Sequence, residues 1–194
     1  LTPDGYRGVE TLVAGDLVET LDNGVKPLMW VGGRVVSGIG QFAPIRFAPG
    51  AFGNERELLV SPQHRMLLTG WRAELMFGED EVLVPAKTLV NGDTIDWVPM
   101  ARQETSFAVY HVETEAHDVI LANGAASETF LDVATRRTFD NYQQYMDLYG
   151  VERIIAECPL PRISSARLLP RSIKSHTACG RDTDITFAQT GTQL

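Results

Sequence analysis

Cysteine is scarce in this chain: Cys158 and Cys179 are the only two in 194 residues. Two thiols cannot furnish a four-cysteine zinc cluster, and one bridge between them would close a single loop, so neither their pairing nor the redox compartment follows. Long apolar runs are missing too. None approaches the ~18 residues of a helical membrane span, and no membrane partner is expected. A positive surplus is also absent: 17 Lys and Arg face 25 Asp and Glu, a formal net charge of −8. That balance repels phosphate backbones and anionic headgroups, so nucleic acid is not an expected partner. What is present is a globular composition, 44% hydrophobic and 22% charged. A chain of this length buries roughly 70% of its unfolded surface and needs no staples to fold. It starts at Leu1 with neither an initiator Met nor a basic-then-apolar leader, which predicts a piece of a longer protein.

Up to about Phe130 the text consists of short apolar runs rich in Val, Ile, Leu and Trp, separated by Gly, Pro and the pairs Asp4-Gly5, Asn23-Gly24, Asn91-Gly92 and Asn123-Gly124. Such punctuation predicts an antiparallel β meander rather than a parallel sheet with crossover helices. The runs 16–21 and 25–36 are expected to form a hairpin about Asn23-Gly24. One echo is visible: Thr11 to Glu19 resembles Thr88 to Asp96, 77 positions on. A period that long suggests two similar half-domains rather than a solenoid. After Phe130, the apolar residues Leu131, Ala134, Phe139, Tyr142, Tyr145, Met146 and Tyr149 recur at helical spacing, and Gly150 offers a stop, so one main helix is expected within 132–150. Beyond Cys158, prolines 159, 161 and 170 read as a loosely docked tail. The expected organisation is a β domain over 1–130, a helical extension over 131–157 and an irregular tail over 158–194.

Chemistry concentrates at two polar segments. Ser61-Pro62-Gln63-His64 forms a proline-marked corner between two strand-like runs, where a hydroxyl that polarises a carbonyl and an imidazole that protonates a leaving nitrogen can face one small volume. A turn histidine bonded to nearby backbone is the plainer alternative. The second segment, 109–124, reads as a hairpin centred on Thr114, which would place His111 opposite His117 on one side of the sheet. Chance pairing on a solvated hairpin competes with a shared site. His64, His111 and His117 could also be combined into a zinc site, but their spacing matches no HExxH helix. The glycines of 33–40 are followed by no Gly-Lys-Ser/Thr, and Glu79-Asp80-Glu81 reads as a solvated acidic turn.

At these segments the sequence resembles the Hint family, the module of Hedgehog autoprocessing domains, inteins and related bacterial self-cleaving domains. The resemblance is carried by Thr2-Pro3-Asp4-Gly5, Val13 to Val18, Val60 to Arg65, Val84 to Leu89, His117 to Gly124 and Glu128-Thr129-Phe130. It implies an all-β horseshoe of short antiparallel strands with pseudo-twofold halves, here followed by the C-terminal helix and irregular tail. It also implies autocatalytic cleavage by an N-to-S or N-to-O acyl shift. A Cys or Ser at the domain's first position attacks the preceding carbonyl, and the resulting thioester or ester is then resolved.

On this resemblance Ser61 and His64 occupy the family's Thr-x-x-His motif. His111 stands where inteins carry an Asp or Cys that helps activate the nucleophile, and His117 with Asn123-Gly124 matches the later motif. No cofactor and no metal are implied. The partner is the chain's own upstream polypeptide, within a larger, extracellular or secreted bacterial protein. The nucleophile is expected several residues before Thr2, so residues 1–194 alone should not cleave by this route. Ala125-Ala126-Ser127-Glu128 stands where inteins carry a terminal His-Asn pair, which predicts no splicing. The competing expectation is a catalytically inactive β module that serves folding or association of its parent.

Overall fold

The computed structural model describes residues 1–99, 106–131 and 133–163. Cys179, Pro170 and the tail from 164 onward lie outside the described residues, as does Asp132.

Eleven strands appear among them, and every pair is antiparallel. The largest sheet has six strands in the order β2 (Gly24–Pro27), β1 (Leu17–Thr20), β10 (Val119–Ala122), β11 (Ala125–Glu128), β6 (Arg65–Thr69) and β7 (Glu81–Pro85). A second sheet orders β5 (Leu58–Val60), β4 (Ile45–Phe47) and β8 (Ile95–Trp97), and a two-stranded ribbon joins β3 (Trp30–Ser37) to β9 (Ser106–Glu113). A main core of Ile45, Phe47, Met66, Val82, Val84, Leu89 and Ile95 draws on the six-stranded and three-stranded sheets together. None of the helices found is long and apolar enough to cross a membrane.

Turn chemistry sets the registers. Asn123 and Gly124 have φ of 52° and 98°, the two positive values that a two-residue type I′ turn requires, and Ala122 pairs with Ala125 across it. The turn is also docked: Asn123 O accepts the Glu55 N–H at 2.7 Å, and a Cβ on Gly124 would lie 2.7 Å from Gly53 O. The hairpin about Asn23-Gly24 forms between β1 and β2. Its second run is divided, however, because β2 ends at Pro27 and β3 leaves for the ribbon. The 77-residue echo has a structural counterpart. Single 3-10 turns at Val9–Thr11 and Ala86–Thr88 are each followed by a positive-φ glycine, Gly15 or Gly92, and then by a strand, β1 or β8.

One expectation needs correction. His111 and His117 do not face each other: β9 pairs with β3, placing His111 opposite Gly32, while β10 pairs with β11 and β1. Residues 113–118 instead form a crossing with Glu113, Thr114, His117 and Asp118 buried, in which the Thr114 hydroxyl donates to Ala116 O at 2.7 Å and the Asp118 N–H donates to Thr129 Oγ1 at 2.9 Å. The main helix expected within 132–150 is α2, Tyr142–Tyr149, and it is preceded by a 3-10 stretch, Val133–Thr138. The two are separated because Asp140 and Asn141 turn to the edge of β3, where they accept from Val35 N at 3.0 Å and Gly33 N at 2.9 Å. Gly150 does stop α2, with φ 69° and its N–H on Met146 O at 2.8 Å. A short helix, α1 (Trp71–Phe77), also interrupts the strands, framed by Gly70 and the left-handed Gly78.

The extension packs as core. Trp30 and Phe130 meet Phe139, Tyr145 and Ile155. Beside them Arg136, fully buried, donates to Glu113 Oε2 from Nη2 at 2.8 Å and from Nε at 3.1 Å.

Candidate active site

The Ser61–His64 corner carries the chain from β5 in one sheet to β6 in another. Three backbone bonds pin it: His64 N–H to Ser61 O at 3.0 Å, Ala86 N–H to His64 O at 2.8 Å and Lys87 N–H to Pro62 O at 3.0 Å. The imidazole is thereby aimed at β11, where His64 Nε2 lies 2.6 Å from Ser127 Oγ. Its pKa is lowered by burial, with the Glu128 carboxylate opposing.

His111 arrives from the ribbon. Its ring centroid stands 5.5 Å from that of His64 and packs edge-on against Phe139 at 5.5 Å and Phe130 at 6.0 Å. Opposite it, Gly32 has no room for a side chain, since a Cβ there would approach the Trp30 ring to 2.6 Å. This apolar seat pushes the His111 pKa down to about 3, through burial first and then through His64. Both imidazoles are therefore held in their neutral forms at neutral pH.

His117 takes a different place. It is buried at 3% exposure, its Nδ1 accepts the Cys158 N–H at 3.4 Å, and its Nε2 lies 3.3 Å from Glu128 Oε2. It therefore reaches the other histidines only through Glu128. That carboxylate also accepts from Arg65, at 3.0 Å from the backbone N–H and at 3.2 Å from Nη1. Burial alone would raise the Glu128 pKa, but His117, His64 and Arg65 hold it below the usual carboxylate range. With His117 turned to Glu128 and Cys158, a zinc triad of His64, His111 and His117 is not assembled. Among the described residues no other trio of His, Cys, Asp or Glu forms a metal-binding group.

Ser61, His64, His111 and Glu128 line one open cleft of about 1160 Å³, together with Val109 and Phe107 of β9. Sequence reasoning missed Ser127, Glu128 and Phe139 as parts of this site. A signal existed for the first two: the Asn123-Gly124 turn fixes the register of β10 on β11, and Ser127 and Glu128 are the polar residues of a strand otherwise made of alanine.

The chain is thus a mostly antiparallel β fold in which two neutral imidazoles and a largely buried carboxylate surround one cleft. The Hint domain model matches residues 1–134, and the chain belongs to that family, which is associated with autoprocessing. No curated protein and no solved structure matches the chain.

Proposed function

We propose that this chain is the catalytic body of a self-cleaving Hint domain that acts on its own upstream polypeptide. The observation that carries the reading is the convergence of His64 and His111, with ring centroids 5.5 Å apart, on a cleft that also holds Ser61 and Glu128. A Cys or Ser upstream of Leu1 attacks the carbonyl carbon of the residue before it. The new S–C or O–C bond forms, the C–N bond breaks, and the nitrogen leaves as an amine once protonated.

His64 takes the proton from the nucleophile and delivers it to that nitrogen, a role open to an imidazole held neutral beforehand. Ser61, on the same corner, stands to polarise the attacked carbonyl. His111 is too weak a base, at about 3, to store the proton; as a neutral ring it orients the nucleophile. His117 acts at one remove, by fixing the Glu128 carboxylate that counters a transient charge on His64. Water or another nucleophile then resolves the thioester or ester. We place the domain in a larger secreted bacterial protein.

The test is a chain extended by its natural upstream residues. Cleavage should yield a new N-terminus at the attacking residue, dithiothreitol should accelerate it if that residue is Cys, and His64→Ala should slow it by roughly two to four orders of magnitude. An extended chain that stays intact for days with and without thiol favours the inactive β module instead.

A further inference from the structure

Edge strands present main-chain N–H and C=O groups without ladder partners, and proteins usually close them. This molecule closes most of its own. β2 ends the six-stranded sheet on Lys26 and Pro27. β7, at the other end, is covered by residues 161–163, with Leu83 N–H on Pro161 O at 2.9 Å and Ile163 N–H on Leu83 O at 3.0 Å. β8 gives its Ile95 N–H to Asn91 Oδ1 at 3.0 Å, and β5 is only three residues long. The outer edge of β3 is capped by Asp140 and Asn141.

β9, eight residues long, is different. Val31, Gly33 and Val35 of β3 turn main-chain groups outward, to Asn141 and Asp140. Their ladder partners Val112, Tyr110 and Ala108 therefore turn theirs outward on the far side of the ribbon. Val112 O there accepts the Phe130 N–H at 2.7 Å, while Tyr110 and Ala108 have no main-chain partner on that side among the described residues. The side chains between them, His111, Val109 and Phe107, line the cleft.

We propose that this edge of β9, open among the described residues, docks an extended polypeptide, the segment upstream of the processed bond, as a third strand of the ribbon. Its main chain bonds Ala108 and Tyr110, and its alternate side chains lie beside Val109 and Phe107. The chemistry of the edge selects the occupant. Outward N–H and C=O groups recur every second residue, about 6.8 Å apart, a repeat that only a strand satisfies along its length. The edge continues the line already begun by Phe130 on Val112, and it runs beside His111, so a strand docked there delivers the chain to the imidazoles. The identity of that strand as flanking polypeptide rests on the self-cleaving function proposed above.

The experiment uses the chain with its natural upstream residues and the attacking residue replaced by Ala, so that the flank stays attached. Amide hydrogen exchange is compared with that of residues 1–194. The expected result is exchange at least tenfold slower at Ala108 and Tyr110, with Ala108→Pro abolishing the protection at Tyr110. Proline at 108 removes an outward N–H and no bond of the β3–β9 ladder. In the cleaving version, Ala108→Pro should slow processing about three- to tenfold, the worth of one hydrogen bond, with an unchanged circular dichroism spectrum. Equal exchange with and without the flank overturns the docking, and this comparison needs no change in β9. Protection without any cleavage upholds the docking and refutes the self-cleaving reading; cleavage without protection refutes the docking alone.

Discussion

Replacing Arg136 with Ala would leave Glu113 as an unpaired carboxylate in a fully buried position. Breaking a buried ion pair from one side typically destabilises by about 3–5 kcal/mol. Here the guanidinium also stacks 4.2 Å from the Tyr145 ring, donates to Arg153 O at 3.2 Å, and supplies both bonds to Glu113 Oε2. The upper part of that range is therefore expected at pH 7. The deficit should depend on pH. Burial already raises the Glu113 pKa, with Arg136 opposing; without Arg136 it rises further. A carboxyl whose folded pKa exceeds its unfolded value destabilises above the unfolded value and not below it, so the deficit should shrink as pH falls from 7 to about 4. Joint replacement by a well-packed apolar pair, Arg136→Met with Glu113→Leu, should recover most of the loss. Urea unfolding followed by the fluorescence of Trp30, which packs on Phe130, Phe139 and Tyr145, reads all three proteins at pH 7 and 4.5. A loss below about 1 kcal/mol at pH 7, or one indifferent to pH, would refute the reasoning.

Ser127→Ala should alter the ring-nitrogen shifts and titration of His64, because its hydroxyl is the partner 2.6 Å from Nε2; nitrogen NMR spectra identical to wild type would remove Ser127 from the site. Folding holds His111 neutral down to about 3, whereas an unfolded imidazole protonates near ~6.5, so this group makes stability fall with falling pH across that window, by at most about 1.4 kcal/mol per unit. His111→Gln should flatten that part of the urea-midpoint profile, and an unchanged slope counts against the burial account. Gly124→Ala should destabilise by roughly 1–3 kcal/mol, since the new Cβ meets Gly53 O at 2.7 Å in a φ of 98°; a shift in urea midpoint worth less than half of that would contradict the docked turn. Tags placed before the attacking residue and after Leu194 should never be joined, and mass spectrometry finding one species with both tags and no domain would overturn the absence of splicing.

Much of the fold was legible because turn residues carry their conformation locally. Asn123-Gly124 forms the turn that its residue types require, Gly150 ends α2, and Pro62 marks a corner between strands. The His111–His117 pairing failed for the opposite reason. Spacing alone cannot tell a hairpin from a crossing, and the partner that claims β9, the strand Trp30–Ser37, lies some 75 positions earlier along the ladder that sets Gly33 against Tyr110 and Val35 against Ala108. The gap at Asp140-Asn141 between the 3-10 stretch and α2 was likewise invisible, since apolar spacing reports a buried face and is silent about polar side chains that turn away to cap a strand. The corner that carries His64 was legible from Pro62, whereas the placing of Ser127 and Glu128 beside it follows only once β11 lies beside β6.

The corner that bears His64 is a hinge pin between two sheets, because β5 belongs to one and β6 to the other. Its histidine is held from the backbone side by Ala86 and answered from the other side by Ser127. On the self-cleaving role proposed for His64, the chemistry gauges alignment between the two sheets. A core change far from the cleft, in the apolar layer of Phe47, Met66 and Val84, could slide one sheet by a fraction of an ångström and silence the imidazole while both sheets remain folded. Loss of activity with an intact spectrum is then a mechanical fault, and it should be repaired by second substitutions in that layer rather than at the histidines.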